Sequence, residues 1–231
     1  MTVTLVTGAN RGIGLETARQ LVQRGHTVYL GARDAGRGTA AAHSVGARPL
    51  LLDVTDDKSV AEAAAQVRDE VGHLNVLVNN AGVGGADKEA AHVTEADLRT
   101  VYDTNVFGVV RVIHAFLPLL QAACAPRVVN VSSGLGSFGI THDASRFESG
   151  VVNVAYNSSK SALNMITTQY AKALPTLRIN AVDPGFTATE MNGHRGTQTV
   201  REGATAVVRL ACADADSPTG GYFSAAGPLP W

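Results

Sequence analysis

Short runs of β-branched and aliphatic residues recur along the chain, at residues 2–7, 27–32, 48–53, 76–79, 127–132 and 178–182. They lack the strict alternation of a half-solvated strand and read as strands buried on both faces. Between them lie Ala-rich stretches with apolar residues at three- and four-residue intervals, at 13–24, 60–71, 98–123 and 155–173. This alternation predicts an α/β fold, a doubly wound parallel sheet in three α/β/α layers. A further helix is expected at 200–213 and a last strand around 221–224, with Pro118 bending the 98–123 helix near its end.

Two segments break the rhythm. Residues 134–154 are rich in Gly and Ser, and residues 185–199 carry Gly, Thr and Met191. Loops of this length in a compact domain are usually functional. Both follow the carboxyl end of an expected strand, where open α/β sheets bind ligands. They are the candidate pocket wall and lid.

Composition narrows the function classes. A chain of 231 residues, 45% hydrophobic and 17% charged, suits a single globular domain. A formal net charge of −1, with no run of like charge, supplies no field to attract nucleic acid or an anionic membrane. Small molecules are the expected partners. Cys124 and Cys212 lack metal-ligand spacing, so no zinc site or disulfide framework is expected, and both read as buried structural thiols. No apolar stretch is expected to reach transmembrane length, and the first strand begins beside Met1, leaving no room for a signal peptide; a cytoplasmic protein is expected. Basic charge is carried by fifteen arginines and only four lysines, one of which is Lys160.

The first strand runs into Thr7-Gly8-Ala9-Asn10-Arg11-Gly12-Ile13-Gly14 and then a helix. Glycines there let the backbone turn sharply and approach a pyrophosphate lying on the helix N-terminus. The spacing is Gly-x-x-x-Gly-x-Gly. With Leu52-Asp53-Val54, Asn79-Asn80-Ala81-Gly82, Asn105 in Thr-Asn-Val-Phe-Gly, Ser132-Ser133, Tyr156-x-x-x-Lys160 and Pro184-Gly185 following in order, the chain resembles the short-chain dehydrogenase/reductase family over nearly its whole length. The resemblance implies a Rossmann-type fold and an oxidoreductase moving a hydride between a nicotinamide cofactor and a carbonyl or alcohol. The interval from Ser133 to Tyr156 is 23 residues, longer than in the simplest members and similar to the carbonyl-reductase branch. That branch contains monomers, which leaves monomer or homo-oligomer open.

The resemblance also implies site residues. Gly8, Asn10, Arg11, Gly12, Ile13 and Gly14 would hold the phosphates, Asp53 and Val54 the adenine, and Asn80, Ala81 and Gly82 the ribose. Pro184, Gly185, Thr187 and Thr189 would meet the nicotinamide carboxamide and the phosphates, although the threonines also read as simple loop polarity. Asp53 reads equally as part of a helix cap with Thr55 and Asp56. An acidic residue ending the second strand would repel a 2′-phosphate. Here Ala32 stands at that place with Arg33 after it, and Arg33 and Arg11 are positioned to clamp a dianion, which reads as NADP(H). The alternative is that Arg33 and Arg37 are solvated while Asp34 contacts the ribose.

Reduction of a carbonyl needs an acid at its oxygen. Tyr156 and Lys160, four apart in a helical stretch, share one face. By resemblance both also touch the cofactor. A phenol near ~10 is mismatched to neutral pH, and an ammonium beside it, with an oxidised nicotinamide, is expected to lower it by roughly two to three units. Ser133 resembles the serine that hydrogen-bonds the substrate oxygen, with Ser132 its rival. Asn105 resembles the residue holding a water that links Lys160 to solvent. Phe138, His142, Phe147, Phe186 and Met191 are candidates for an apolar pocket suited to a hydrophobic aldehyde or ketone. A non-catalytic NADP(H)-sensing regulator on the same fold is the other reading; its expected mark, loss of the proton donor, is missing.

Overall fold

In the computed structural model, which describes residues 1–231, the apolar runs become Val3–Val6 (β1), Thr27–Ala32 (β2), Arg48–Leu51 (β3), Val76–Asn79 (β4), Arg127–Val131 (β5), Arg178–Val182 (β6) and Tyr222–Ser224 (β7), all pairing in parallel. Gly227–Pro228 (β8) adds an antiparallel edge. The order β3-β2-β1-β4-β5-β6-β7-β8 reverses direction between β1 and β4. The crevice at the carboxyl ends of those two strands is the expected ligand position.

Both faces are covered. Helices α1 (Gly12–Gln23), α2 (Ala35–Val45) and α8 (Val200–Ala211) close one side, where Leu21, Ala42 and Val207 meet Val6, Leu30, Val78 and Val129. Helices α3 (Asp57–Val71), α4 (Glu95–Tyr102), α5 (Gly108–Gln121) and α7 (Val154–Ala173) lie on the other, where Val67, Phe116 and Leu163 meet Leu5, Tyr29, Leu77 and Val128. Adjacent strand residues such as Leu5 and Val6 therefore feed opposite cores, as the pleat requires.

Several expectations are corrected. Helix α2 is absent from the sequence reading because its buried positions are the small or modest Gly38, Ala42 and Val45, which give a faint apolar stripe. The expected 98–123 helix starts earlier, at a Thr94–Asp97 capping box, and is interrupted by a π-turn at Asp103–Phe107. Pro118 falls inside α5, in its last turn. The continuous helical run Glu95–Gln121, 27 residues with a mean hydropathy of 1.3 over its most apolar window, does reach membrane-spanning length, and half of that window is buried in the core. The two thiols are exposed, not buried: Cys124 sits in the turn after α5 and Cys212 caps α8, each just past its helix rather than on the apolar face.

The 134–154 segment contains two short 3₁₀ turns, at Gly134–Gly136 and Phe147–Gly150, around a one-turn helix, α6 (Phe138–Thr141). Its middle is tied to the chain end, since Gly139 donates to the Trp231 carbonyl and the Ser137 hydroxyl to that of Pro230. Trp231 packs back on the domain, stacked on Tyr222 with ring centres 5.3 Å apart.

Candidate active site

The chain leaves β1 at Thr7, whose hydroxyl accepts the amides of Asn80 and Ala81, both at 3.0 Å. Gly8 follows with a φ of +61°, and a Cβ there would lie 2.8 Å from the Ala81 Cα. The Asn80 amide nitrogen donates to the carbonyls of Thr7 and Gly8, at 2.9 and 3.1 Å. Its side chain is thus spent on bracing the glycine turn. A Cβ on Gly14 would collide with that same Asn80 amide and stand 2.9 Å from the Ala9 Cα. At the start of α1, Arg11 makes no side-chain cap, so no side chain covers the first-turn amides, the arrangement that receives an anion.

A cleft of about 500 Å³ opens from this turn. It gathers Gly8, Asn10, Arg11, Gly12, Ile13, Gly14, Arg33, Asp53, Val54, Asn80, Ala81, Gly82, Tyr156, Lys160, Pro184 and Thr189 along one surface. The residues fit a dinucleotide: a glycine cradle that a Cβ would fill, uncapped amides, and cations at one end. Glu190, Met191 and His194 also line it and were not anticipated as cofactor contacts.

At the Arg33 end, Ala32 is buried and offers no carboxylate. Asp34 does not face the cleft; it caps α2 through the Arg37 amide and pairs with the Arg37 side chain at 3.0 Å. Arg11 forms an ion pair with Glu190 across the cleft. The cap of α3 is Asp56, which accepts the amides of Lys58 and Ser59. Asp53 accepts the amide and hydroxyl of Thr55 on one oxygen while still lining the cleft.

Two members of the 185–199 loop depart from expectation. Thr187 is 4% exposed, donates to the Pro184 and Gly185 carbonyls, and fills the space above Gly203, so its hydroxyl is structural. Gly185 forms the turn against Gln198 and is not on the cleft surface.

At the other end, Asn153 caps α7 through the Tyr156 amide and donates to the Gly84 carbonyl, which fixes where the helix starts. Tyr156 and Lys160 then share a face, with the Lys160 Nζ 5.6 Å from the centre of the Tyr156 ring. Lys160 is 5% exposed and donates to the Val131 carbonyl at 2.8 Å. Burial depresses its ammonium to about 8, with Asp183 pulling it back up.

The protein alone sets the phenol high. Burial pushes Tyr156 up to about 12, the neighbouring Ser133 hydroxyl opposes this, and Asp183 adds to it. Desolvation of the phenolate outweighs an ammonium that is directed at a carbonyl instead.

Ser132 and Ser133 both meet α7, at Asn164 and at Tyr156 respectively. Ser132 is buried and donates to Asn164 at 2.6 Å, which makes it structural; Ser133 stands beside Tyr156. Asn105 is also committed: its oxygen accepts the Val83 amide, and its nitrogen donates to the Val83 carbonyl and the Ser159 hydroxyl. With both amide hydrogens used, its side chain has no donor left for a water.

Of the five pocket candidates only Met191 lines the cleft. Phe147 and Phe186 stack with centres 5.5 Å apart, joining the 134–154 segment to the 185–199 loop. Phe138 and His142 lie against each other at the surface.

The model of the short chain dehydrogenase family matches residues 2–199. The chain is similar to (+)-neomenthol dehydrogenase of Arabidopsis thaliana, 36% identical in an alignment that covers 95% of each protein. Among solved structures it resembles salutaridine reductase from Papaver somniferum, with a TM-score of 0.84 and 28% identity over 96% of this chain and 99% of that one. NADPH-bound carbonyl reductase from chicken fatty liver superposes with a TM-score of 0.85 and 27% identity, each chain covered in full.

Proposed function

The chain belongs to the short-chain dehydrogenase family, and from that premise we propose that it is an NADPH-dependent oxidoreductase that reduces a carbonyl, with Tyr156 as the proton donor. The observation that carries this reading is that one cleft gathers Tyr156 and Lys160 with the glycine-rich turn and the arginines, and that Ser133 stands beside Tyr156.

A reduced nicotinamide bound in the cleft supplies the hydride. The protein supplies the proton and the place for the oxygen. With its phenol held near 12, Tyr156 is protonated at neutral pH and serves as an acid from the start. As charge develops on the substrate oxygen, the Ser133 hydroxyl donates a hydrogen bond to it and Tyr156 transfers its proton. Lys160, held near 8, keeps its charge at pH 7 and stabilises the phenolate left behind. Oxidation of an alcohol would run through the same groups in reverse, with Tyr156 deprotonated first.

NADPH is favoured over NADH by Ala32 in place of a carboxylate, by Arg33 on the cleft, and by the diversion of Asp34 to α2. The similar carbonyl reductase binds NADPH. For the substrate, a hydrophobic aldehyde or ketone is supported by Met191 on the cleft and by the Phe147–Phe186 stack that joins the two candidate substrate loops. The test is a panel of aromatic, aliphatic and quinone carbonyls followed by NADPH absorbance, repeated with NADH. A higher catalytic efficiency with NADH overturns the cofactor assignment, and no turnover of any carbonyl overturns the reaction.

A further inference from the structure

We propose that Asp183 is a positioning residue of this active site, its buried carboxylate stapling the turn after Ser133 to the turn after Pro184 and standing as counter-charge to Lys160. The proposal rests on the reductase reading for its catalytic consequence.

Asp183 ends the run of β6 at the carboxyl edge of the sheet. Its amide donates to the Phe223 carbonyl at 2.8 Å, and the Ser132 amide donates to Val182 at 2.7 Å, so it stands level with Ser133. It is 8% exposed. One carboxylate oxygen accepts the Gly185 amide at 3.0 Å. The other oxygen, Oδ2, lies against the Gly134 backbone, 3.3 Å from where a Cβ would stand. The 134–154 segment and the 185–199 loop thus begin from the two sides of one carboxylate, and those loops flank Ser133 and the cleft.

A carboxylate is the side chain this geometry requires. The Gly185 amide and the Gly134 backbone converge on it from two sides, and an ionised Asp offers an acceptor to each, whereas Asn would turn an NH₂ toward one of them.

The charge also has a setting. No lysine or arginine forms an ion pair with Asp183. Around it stand Tyr156 and Lys160 from α7, Arg146 and Glu148 from the 134–154 segment, and Tyr222 from β7, whose buried hydroxyl has no partner. Arg146 is itself paired with Glu148 at 3.2 Å. Burial raises the Asp183 carboxyl, while the Gly185 and Gly134 amides hold it down toward the ionised form. As an anion it strengthens proton binding on both Tyr156 and Lys160.

The experiment compares wild type with Asp183→Asn and with the smaller Asp183→Ser, each checked for a cooperative melt. The readouts are NADPH affinity, kcat across pH, and hydrogen exchange at the Gly134 and Gly185 amides. NADPH affinity should stay within about twofold, while kcat falls on the order of 10²-fold through mispositioned groups. Loss of the anion lowers the proton affinity of Tyr156 and Lys160, so the alkaline limb of kcat should move down by roughly one pH unit, which a purely structural loss would not do. The two amides should be protected in wild type and exchange faster in either variant. Folded variants with wild-type kcat and an unmoved alkaline limb overturn the catalytic role. Should wild type reduce no carbonyl, the reductase reading fails, and the exchange data still judge the staple. Unprotected Gly134 and Gly185 amides in wild type overturn it even if neither variant folds.

Discussion

Lys160 donates its ammonium to the carbonyl oxygen of Val131, at 2.8 Å, rather than to the hydroxyl of Tyr156 one helical turn away. Its influence on the phenol is therefore one of charge through space. Lys160→Gln can still donate to Val131 but carries no charge, and Lys160→Met does neither. Both are expected to lose most of the turnover, about 10²-fold, because what is missing is the charge opposite a forming phenolate. A Gln variant with the wild-type rate would show that the hydrogen bond alone is what matters.

The same burial has a stability consequence. Lys160 is held near 8 in the folded protein against 10.5 for an ordinary lysine, so the unfolded chain binds more protons between those values. Below pH 8 the charged, buried lysine costs the fold about 3 kcal/mol, and the cost is relieved as pH rises toward 10.5. Loss of the bond to Val131 offsets part of the gain on removing it. Lys160→Met should therefore melt higher than wild type at pH 7, with the difference shrinking by pH 10. Equal melting temperatures at both pH values would contradict the buried-charge account.

Tyr156→Phe removes the proton donor while leaving the ring in place. Turnover is expected to fall by about 10²- to 10⁴-fold, the usual share of a general acid. NADPH affinity, read by fluorescence titration, should be little changed, since the cradle at Gly8 and Gly14 is untouched. A variant retaining most of its rate would defeat the assignment.

The glycine cradle makes a separate claim. Gly14→Ala places a methyl against the Asn80 amide and the Ala9 backbone, so either Asn80 releases the Thr7 and Gly8 carbonyls or α1 shifts. Overpacking of this kind costs about 1–3 kcal/mol. The variant should melt lower and bind NADPH more weakly than it is destabilised, because the deformed element is the phosphate site itself. Asn80→Ala, which loosens the turn without filling it, should weaken binding in the same direction. Unchanged affinity in both would separate Asn80 from the turn.

How much of this was legible in the sequence follows from the range of each interaction. Buried strands announce themselves locally, and so do the glycine turn between β1 and α1 and the shared helix face of Tyr156 and Lys160. Helix α2 escaped because Gly38 and Ala42 bury little apolar surface. The committed side chains escaped because their partners are remote in the chain: Asn80 reaches back to Thr7, Asn105 forward to Ser159, and Asp183 back to Gly134. The upward shift of Tyr156 depends on what surrounds the phenol, which no spacing records. Asp183 stood beside Pro184-Gly185, and an acidic residue directly after an apolar strand was the one available signal.

Arg11, expected to hold a 2′-phosphate, is instead paired with Glu190 of the 185–199 loop. Both side chains are more than half exposed, so the pair itself is worth about 0–1 kcal/mol and is easily exchanged for a phosphate. Glu190 nevertheless competes with that phosphate for the guanidinium and repels it. Glu190→Gln removes both effects, and NADPH should bind tighter by up to roughly fivefold, since one such pair is worth no more than that. NADH lacks the phosphate and should bind as it does to wild type. Arg11→Gln should reverse the preference, weakening NADPH while sparing NADH. The comparison also distinguishes two roles for Glu190. If its substitution tightens both cofactors equally, Glu190 acts by holding the loop across the cleft, and Arg11 is not reading the phosphate.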